Sequence, residues 1–151
     1  MLSRFQVVPA AYVLIRRAGE VLLQLRRNTN YYDGYWACGA AGHVEAGESV
    51  LEAAVREAHE ELGVTIETRD LAPLCAMHRT HANRRPIDER VDFFFECWTW
   101  DGNPQRVEAQ KAADLRWFSL TALPDDVVPH ERFVMDRLRE DRLAPIVTYG
   151  F

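Results

Sequence analysis

Glu57, Glu60 and Glu61 place three carboxylates within five residues, inside the stretch GHVEAGESVLEAAVREAHEELGV (42–64), which holds six glutamates. On a helix, like charges at i, i+3 and i+4 repel one another and weaken it. A divalent cation removes that repulsion. Mg²⁺ takes hard oxygen ligands in near-octahedral geometry and keeps waters for substrate phosphates. It also polarises a phosphoryl oxygen and lowers the pKa of a bound water. The spacing therefore supports metal-assisted attack of water on a phosphoryl group. A solvated acidic face explains each glutamate singly, but not all three with the glycines that flank them.

A helix over 49–62 must position these groups. Ser49 and Glu52 form a capping box at its start, and Gly63 closes it. Leu51, Ala54, Val55, Ala58 and Leu62 recur at helical spacing as the buried stripe. At about 100° per residue the glutamates project together on a different arc.

Around this helix the chain reads mostly as strands. VVPAAYVLIRRAGEVLLQLRR gives two, joined by a turn at Ala18-Gly19-Glu20, and NTNYYDGYWACGAAG follows as a long loop. Short strands are expected near 65–68 and over 71–79. RVDFFFECWTW (90–100) is the strongest strand, with a turn at 101–104, and DLRWFSL is a further short one. PHERFVMDRLRED reads as a closing helix with Phe133, Val134, Arg137 and Leu138 on one side and Pro129 near its first turn. Strands before and after a central helix predict an α/β fold, a mixed β-sheet covered by helices, in one domain over 1–151.

Composition excludes some classes. The 151 residues carry a formal net charge of −5, which argues against a general phosphate-backbone binder. Cys38, Cys75 and Cys97 form no CxxC pair, so reduced thiols and a cytoplasmic location are expected. The apolar run from Val7 to Ile15, broken by Pro9, is too short to span a bilayer and reads as neither a membrane segment nor a targeting signal.

The stretch from Gly42 to Val64 resembles the Nudix box, G-x5-E-x7-R-E-U-x-E-E-x-G-U with U aliphatic. Gly42, Glu48, Arg56, Glu57, Glu60, Glu61 and Gly63 fill its seven fixed positions, with Ala58 and Val64 at the aliphatic ones. The strand order looks like the family's α/β/α sandwich. The resemblance implies that Glu57, Glu60 and Glu61 are metal ligands, with one of them helping to activate water. It implies that Glu48 and Arg56 form a supporting ion pair and that the Ala41 carbonyl is a further ligand, with Glu108 as another candidate. Many members carry Gly where this chain has Ala41, a costly exchange if the backbone there needs positive φ. The implied cofactor is Mg²⁺, with Mn²⁺ as substitute.

Outside the box, Tyr35 and Trp36 could stack on a base or sugar, competing with core packing. Arg79, in HRTHANRRP (78–86), could reach a polyphosphate. Asp125 and Asp126, in LPDD, resemble a segment that reads the purine in the oxidised-nucleotide branch, although acids at a helix N-terminus explain them equally well. Marks of other branches are missing: Thr80 stands where ADP-ribose pyrophosphatases often have proline, Thr80-His81-Ala82 replaces a diadenosine-polyphosphate tyrosine, and the NADH-type SQPWPFxS motif is absent. The first expectation is a MutT-like enzyme splitting nucleoside triphosphates into monophosphate and pyrophosphate. The alternatives are an ADP-ribose or nucleotide-sugar pyrophosphatase and, from another class, a non-catalytic nucleotide sensor. The expected partner is a small nucleotide, with no general nucleic acid, no membrane, and a homodimer left open.

Overall fold

Strand β1 (Val8–Arg17) runs through the middle of the molecule and is buried from Ala10 to Arg16. In a strand successive side chains face opposite sides, so β1 serves two cores. Ala10, Tyr12 and Leu14 enter one, and Ala11, Val13 and Ile15 enter the other. The computed structural model describes residues 3–151. The remaining elements are β2 (Glu20–Arg26), β3 (Trp36–Cys38), β4 (Ala40–His43), α1 (Val50–Leu62), β5 (Leu71–Arg79), β6 (Arg90–Cys97), β7 (Ala112–Ser119), α2 (Pro129–Arg139) and β8 (Ile146–Tyr149).

β1 lies parallel to β6, with Ala10 opposite Asp92, and antiparallel to β4, with Tyr12 opposite Ala41. β5 extends this mixed sheet antiparallel to β6, and β8 pairs with β5 in parallel. β2 meets β1 only at the hairpin end, Arg16 opposite Val21, then pairs with β3 and β7. The turn between them carries Ala18 in the left-handed region, φ 46°. Helix α1 packs on the core side that holds Val13, Ile15 and Phe95, and α2 on the side that holds Tyr12, Leu14 and Phe94. The expected layered α/β fold with a mixed sheet is therefore present.

α1 starts and stops as its caps dictate. The Ser49 side chain accepts from the Glu52 amide, Glu52 accepts from the Ser49 amide, and Gly63 takes φ 70°. Its buried stripe differs from the expected one: Ala53 is buried with Ala54, Ala58 and Leu62, while Leu51 is 38% exposed and Val55 only half-buried. The alanines lose no rotamer freedom in a helix.

Three expectations change. The long loop of 28–42 contains β3 and most of β4, because Cys38 pairs with Leu23 and Ala41 with Tyr12. The strand near 65–68 reduces to one bridge, Thr65 to Asp101, followed by a 3-10 turn over Thr68–Asp70. The strand from 90 ends at Cys97, short of Trp100. β8, which carries no strong signal of its own, forms because β5 offers it a free edge.

Candidate active site

The α1 arc that faces away from the alanine stripe meets β4. Glu61 points inward: its Oε2 accepts the Ala41 N–H at 2.7 Å and its Oε1 the Gln24 side-chain N–H at 3.3 Å. Burial pushes its pKa up to about 8, against the pull of the Ala41 bond, and the Glu57 charge raises it further. Burial also raises Glu57, while Arg56 draws it down. Glu57 rests on Gly42, where a Cβ would fall 2.1 Å from its Oε1. The box glycine is thus a seat for a carboxylate. Ala41 is not among the residues with positive φ, so an alanine there costs no strain.

Arg56 gathers the acids. Its Nη1 donates to Glu57 at 2.9 Å and Glu60 at 3.1 Å, and its Nη2 donates to Glu48 at 2.7 Å and to the His43 carbonyl at 3.1 Å. Nε completes a bidentate pair with Glu48 at 3.1 Å. That fork holds Glu48 down to about 2. The expected Glu48–Arg56 pair therefore exists, and it ties the 44–49 loop to the helix.

Glu57, Glu60, Glu61 and Glu108 all line one cavity of about 540 Å³, together with Ala41 and Gly42. Among the described residues no three acids, histidines or cysteines converge in metal-ligand geometry, since Arg56 holds Glu57 and Glu60. The donor chemistry nonetheless fits a hard divalent cation. The set is all carboxylate oxygen, and two of its members are raised by burial, with no side-chain cation bonded to Glu61.

A second cavity of about 410 Å³ shares Gln24, Arg26, Ala41, Gly42, His43 and Glu61 with the first. The two form one cleft. The second half is richer in base, for Arg26, Arg79, Arg85 and Arg90 line it with Tyr12 and Tyr31, beside Asp88 and Glu131. Arg79 is 2% exposed. Its Nε donates to Asp92 at 2.7 Å, and its Nη1 reaches the Tyr31 hydroxyl at 3.3 Å. Asp92 also has Arg90 Nε and His130 Nε2 at 3.8 Å. Burial raises the Asp92 carboxyl and the two guanidiniums pull the other way. His130 in turn sits 3.2 Å from the Tyr12 hydroxyl.

Trp36 and Tyr35 line neither cavity. Trp36 packs edge-on against Phe118 at 4.8 Å, and Tyr35 meets Tyr32 at 5.2 Å. Their neighbour Tyr31 faces the cleft instead, together with Tyr12. Asp125 and Asp126 are exposed and outside both cavities. They do not cap α2 either, whose N-cap is Val128 without a side-chain bond. Gln24, Arg26, His43, Arg90 and Glu131 line the cleft and were not expected. The alternation of Gln24 and Arg26 along β2 could have marked them, whereas Glu131 carries no local signal.

The sequence profile described as NUDIX domain matches residues 6–138. The chain is 35% identical over 136 residues to the NAD-capped RNA hydrolase NudC of Pseudomonas aeruginosa, an alignment covering 90% of this chain and 44% of that one. It thus spans less than half the length of that relative. It is 29% identical over 138 residues to the ADP-ribose pyrophosphatase of Methanocaldococcus jannaschii, covering 90% and 77%. Among solved structures, a MutT NUDIX hydrolase from Burkholderia pseudomallei superposes with a TM-score of 0.77 at 27% identity, covering 88% of this chain and 98% of that one.

Proposed function

The chain belongs to the Nudix family, and from that premise we propose that it hydrolyses the phosphoanhydride of a nucleoside diphosphate linked to a second group, of the ADP-ribose or nucleotide-sugar kind. One observation carries the reading: the cleft is two-ended, an acidic wall joined at Glu61 to a wall of arginines and tyrosines. Such a shape suits a linkage phosphate at the acidic end with an organic group beyond it. The names of the curated relatives favour this class over a nucleoside triphosphate, which the missing branch marks had placed first. One relative is named for NAD-capped RNA, so the test below includes that substrate.

Glu57, Glu60 and Glu61, with the Ala41 carbonyl and Glu108, would hold Mg²⁺ or Mn²⁺. When bound, the ion supplies a polarised phosphoryl oxygen and a water of lowered pKa. The rest belongs to the chain. Arg56 and Glu48 fix the glutamates on α1, and Gly42 leaves room for Glu57. Arg26 and Arg90 offer guanidinium donors to the phosphates. Burial lowers the pKa of His43, which lines the cleft between the two halves. Water adds to phosphorus and the bridging P–O bond breaks, so ADP-ribose yields AMP and ribose 5-phosphate. We take residues 1–151 as one domain of this kind. No helix among the described residues is long and apolar enough to cross a membrane. The three unpaired, buried cysteines support a cytoplasmic setting.

The test is a panel of ADP-ribose, NAD, UDP-glucose, NAD-capped RNA and ATP with Mg²⁺ or Mn²⁺, scored for phosphomonoesters and pyrophosphate. The expected result is two phosphomonoesters from ADP-ribose or a nucleotide sugar, no pyrophosphate, and complete loss with EDTA. Pyrophosphate from ATP as the main product would restore the triphosphate reading. Binding without turnover would make the chain a sensor.

A further inference from the structure

Of the 18 lysine and arginine residues in the chain, only Lys111 is a lysine. It lines the acidic cavity of about 540 Å³ with Glu57, Glu60, Glu61 and Glu108. The other permanent cation on that wall, Arg26, gives its Nε to the Tyr31 carbonyl at 2.7 Å and holds its guanidinium 5.4 Å over the Tyr31 ring. Lys111 is less committed. Its Nζ stands 3.8 Å from Glu108 Oε2, longer than a hydrogen bond, and the two side chains are 57% and 38% exposed. A pair so placed adds little to stability.

The backbone beneath it is fixed from both sides. Arg27 donates its amide to the Lys111 carbonyl at 3.0 Å and its Nε to the Ala109 carbonyl at 3.1 Å, and Asn28 Nδ2 donates to the Gln110 carbonyl at 3.0 Å. The Lys111 amide closes the turn onto the Glu108 carbonyl at 2.9 Å, and the Val107 amide reaches the Glu61 carbonyl at 3.2 Å. Glu108 and Lys111 thus share one turn, held between the end of β2 and the end of α1. From that anchored base a flexible four-carbon stem carries a compact ammonium with three donors, where an arginine would present a planar fork.

What such a group meets follows from the reaction. Hydrolysis of the anhydride leaves two phosphomonoesters, each able to carry a second negative charge. In the reading above that charge develops at the acidic end, away from the arginines and tyrosines of the other half. With Glu108 engaged by a divalent cation, Lys111 loses its carboxylate partner and faces the phosphates instead. We propose that Lys111 is a further substrate-binding residue, its ammonium contacting the phosphoryl oxygens of the anhydride at the acidic end of the cleft. The inference rests on the nucleotide reading given above and adds the residue that answers the growing phosphate charge. Opposing it is a solvated turn lysine that does no more than steady Glu108.

Lys111→Met keeps the length of the stem without the charge, and Lys111→Arg keeps the charge. The probe is α,β-methylene-ADP, whose bridge cannot be hydrolysed, titrated calorimetrically in Mg²⁺ buffer with ADP-ribose hydrolysis followed in parallel. Lys111→Met should bind the analogue roughly ten- to a hundredfold more weakly than the wild type, and Lys111→Arg should recover most of that loss. Binding of Mn²⁺ without nucleotide, read by electron paramagnetic resonance, should be at least as tight in Lys111→Met. The single lysine allows a measurement that needs no variant: the analogue with Mg²⁺ should slow acylation of Lys111 by an N-hydroxysuccinimide ester, followed by mass spectrometry. Equal affinity in wild type and Lys111→Met, a wild type that does not bind the analogue, or acylation indifferent to it overturns the inference. Weaker Mn²⁺ binding in Lys111→Met also overturns it and leaves Lys111 a support for Glu108. If affinity depends on Lys111 while ADP-ribose is not cleaved, the inference stands and the ADP-ribose reading falls.

Discussion

Glu61, at the C-terminal end of α1, and Glu131, in the first turn of α2, grip the same short segment from opposite helix ends. Glu61 is half-buried and Glu131 buried, each accepts one amide of the short 38–41 segment at 2.7 Å, and burial raises both, to about 8 and about 7. Their neighbours differ. Glu57 and Glu108 face Glu61 and raise it further, so its surroundings call for a cation. Around Glu131, Arg26 lowers and Asp92 raises, and the cavity offers tyrosines and guanidiniums. The amide and thiol of Cys38 bond it directly, so its surroundings already supply neutral donors. Environment, not residue type, divides the labour between the two carboxyls.

Four changes test that division, beginning with the largest. Glu61→Gln keeps the Ala41 bond and removes the charge. With the substrate cleaved in the panel above, kcat should fall by roughly 10²–10⁴, while the metal-free melting temperature holds or rises. Normal kcat with a collapsed fold would make Glu61 architectural and erase the contrast. Next, Asp92→Ala strips the carboxylate from Arg79, Arg90 and His130. Leaving buried guanidinium charge uncompensated should cost about 3–5 kcal/mol in urea unfolding; a loss below 1 kcal/mol, on the order of a surface pair, would show that the basic half does not depend on it.

The third change concerns pH. Glu131 has a folded pKa of about 7 against an ordinary 4.5, so folding takes up a proton between those values. Its contribution to stability is greatest below about pH 4.5 and is lost as pH rises through about 7, a total of about 3 kcal/mol. Glu131→Gln should remove that slope, gaining on the wild type as unfolding is measured from about pH 5 to about pH 8. Parallel curves would mean that Glu131 titrates normally and that the likeness to Glu61 is only geometric. Smallest is Gly42→Ala, whose methyl would displace the Glu57 carboxylate from its seat. A shift of that kind should lower kcat roughly tenfold to a hundredfold with little change in melting temperature, since only a side-chain end must move. Unchanged kcat would show that catalysis does not use the seat.

The α1 half was legible because its determinants are local. The capping box, the Gly63 cap and the Glu48–Arg56 fork all close within eight residues or fewer, so spacing alone reveals them. The α2 half was not, because its defining contact, Cys38 to Glu131, joins residues 93 apart. No periodicity records such a pairing. The same reason hid β3 and β4 in a stretch rich in glycine and aromatics, since partners on β2 and β1 make them strands. Arg79 was marked by the company of other basic residues, yet its burial against Asp92 depends on the β5–β6 register. Trp36 and Asp126 sit close to the cleft in sequence, but their backbones bond each other at 2.7 Å instead of facing it.

The placement of β8 bears on how the chain comes to fold. Residues 146–149 supply the parallel partner of 76–79, and β1 finds its parallel partner, β6, only some eighty residues on. Contacts of such separation must pay loop-closure entropy before they return anything, so folding is slow for a chain of this size. During synthesis from the N-terminus, β5 can pair with β6 while its outer edge waits for β8 to leave the ribosome. An unpaired edge invites pairing with other chains, and beside this one lies the apolar hollow of Leu74, Phe93 and Pro145. The nascent protein is therefore most prone to aggregate in the interval between the emergence of residue 97 and that of residue 149.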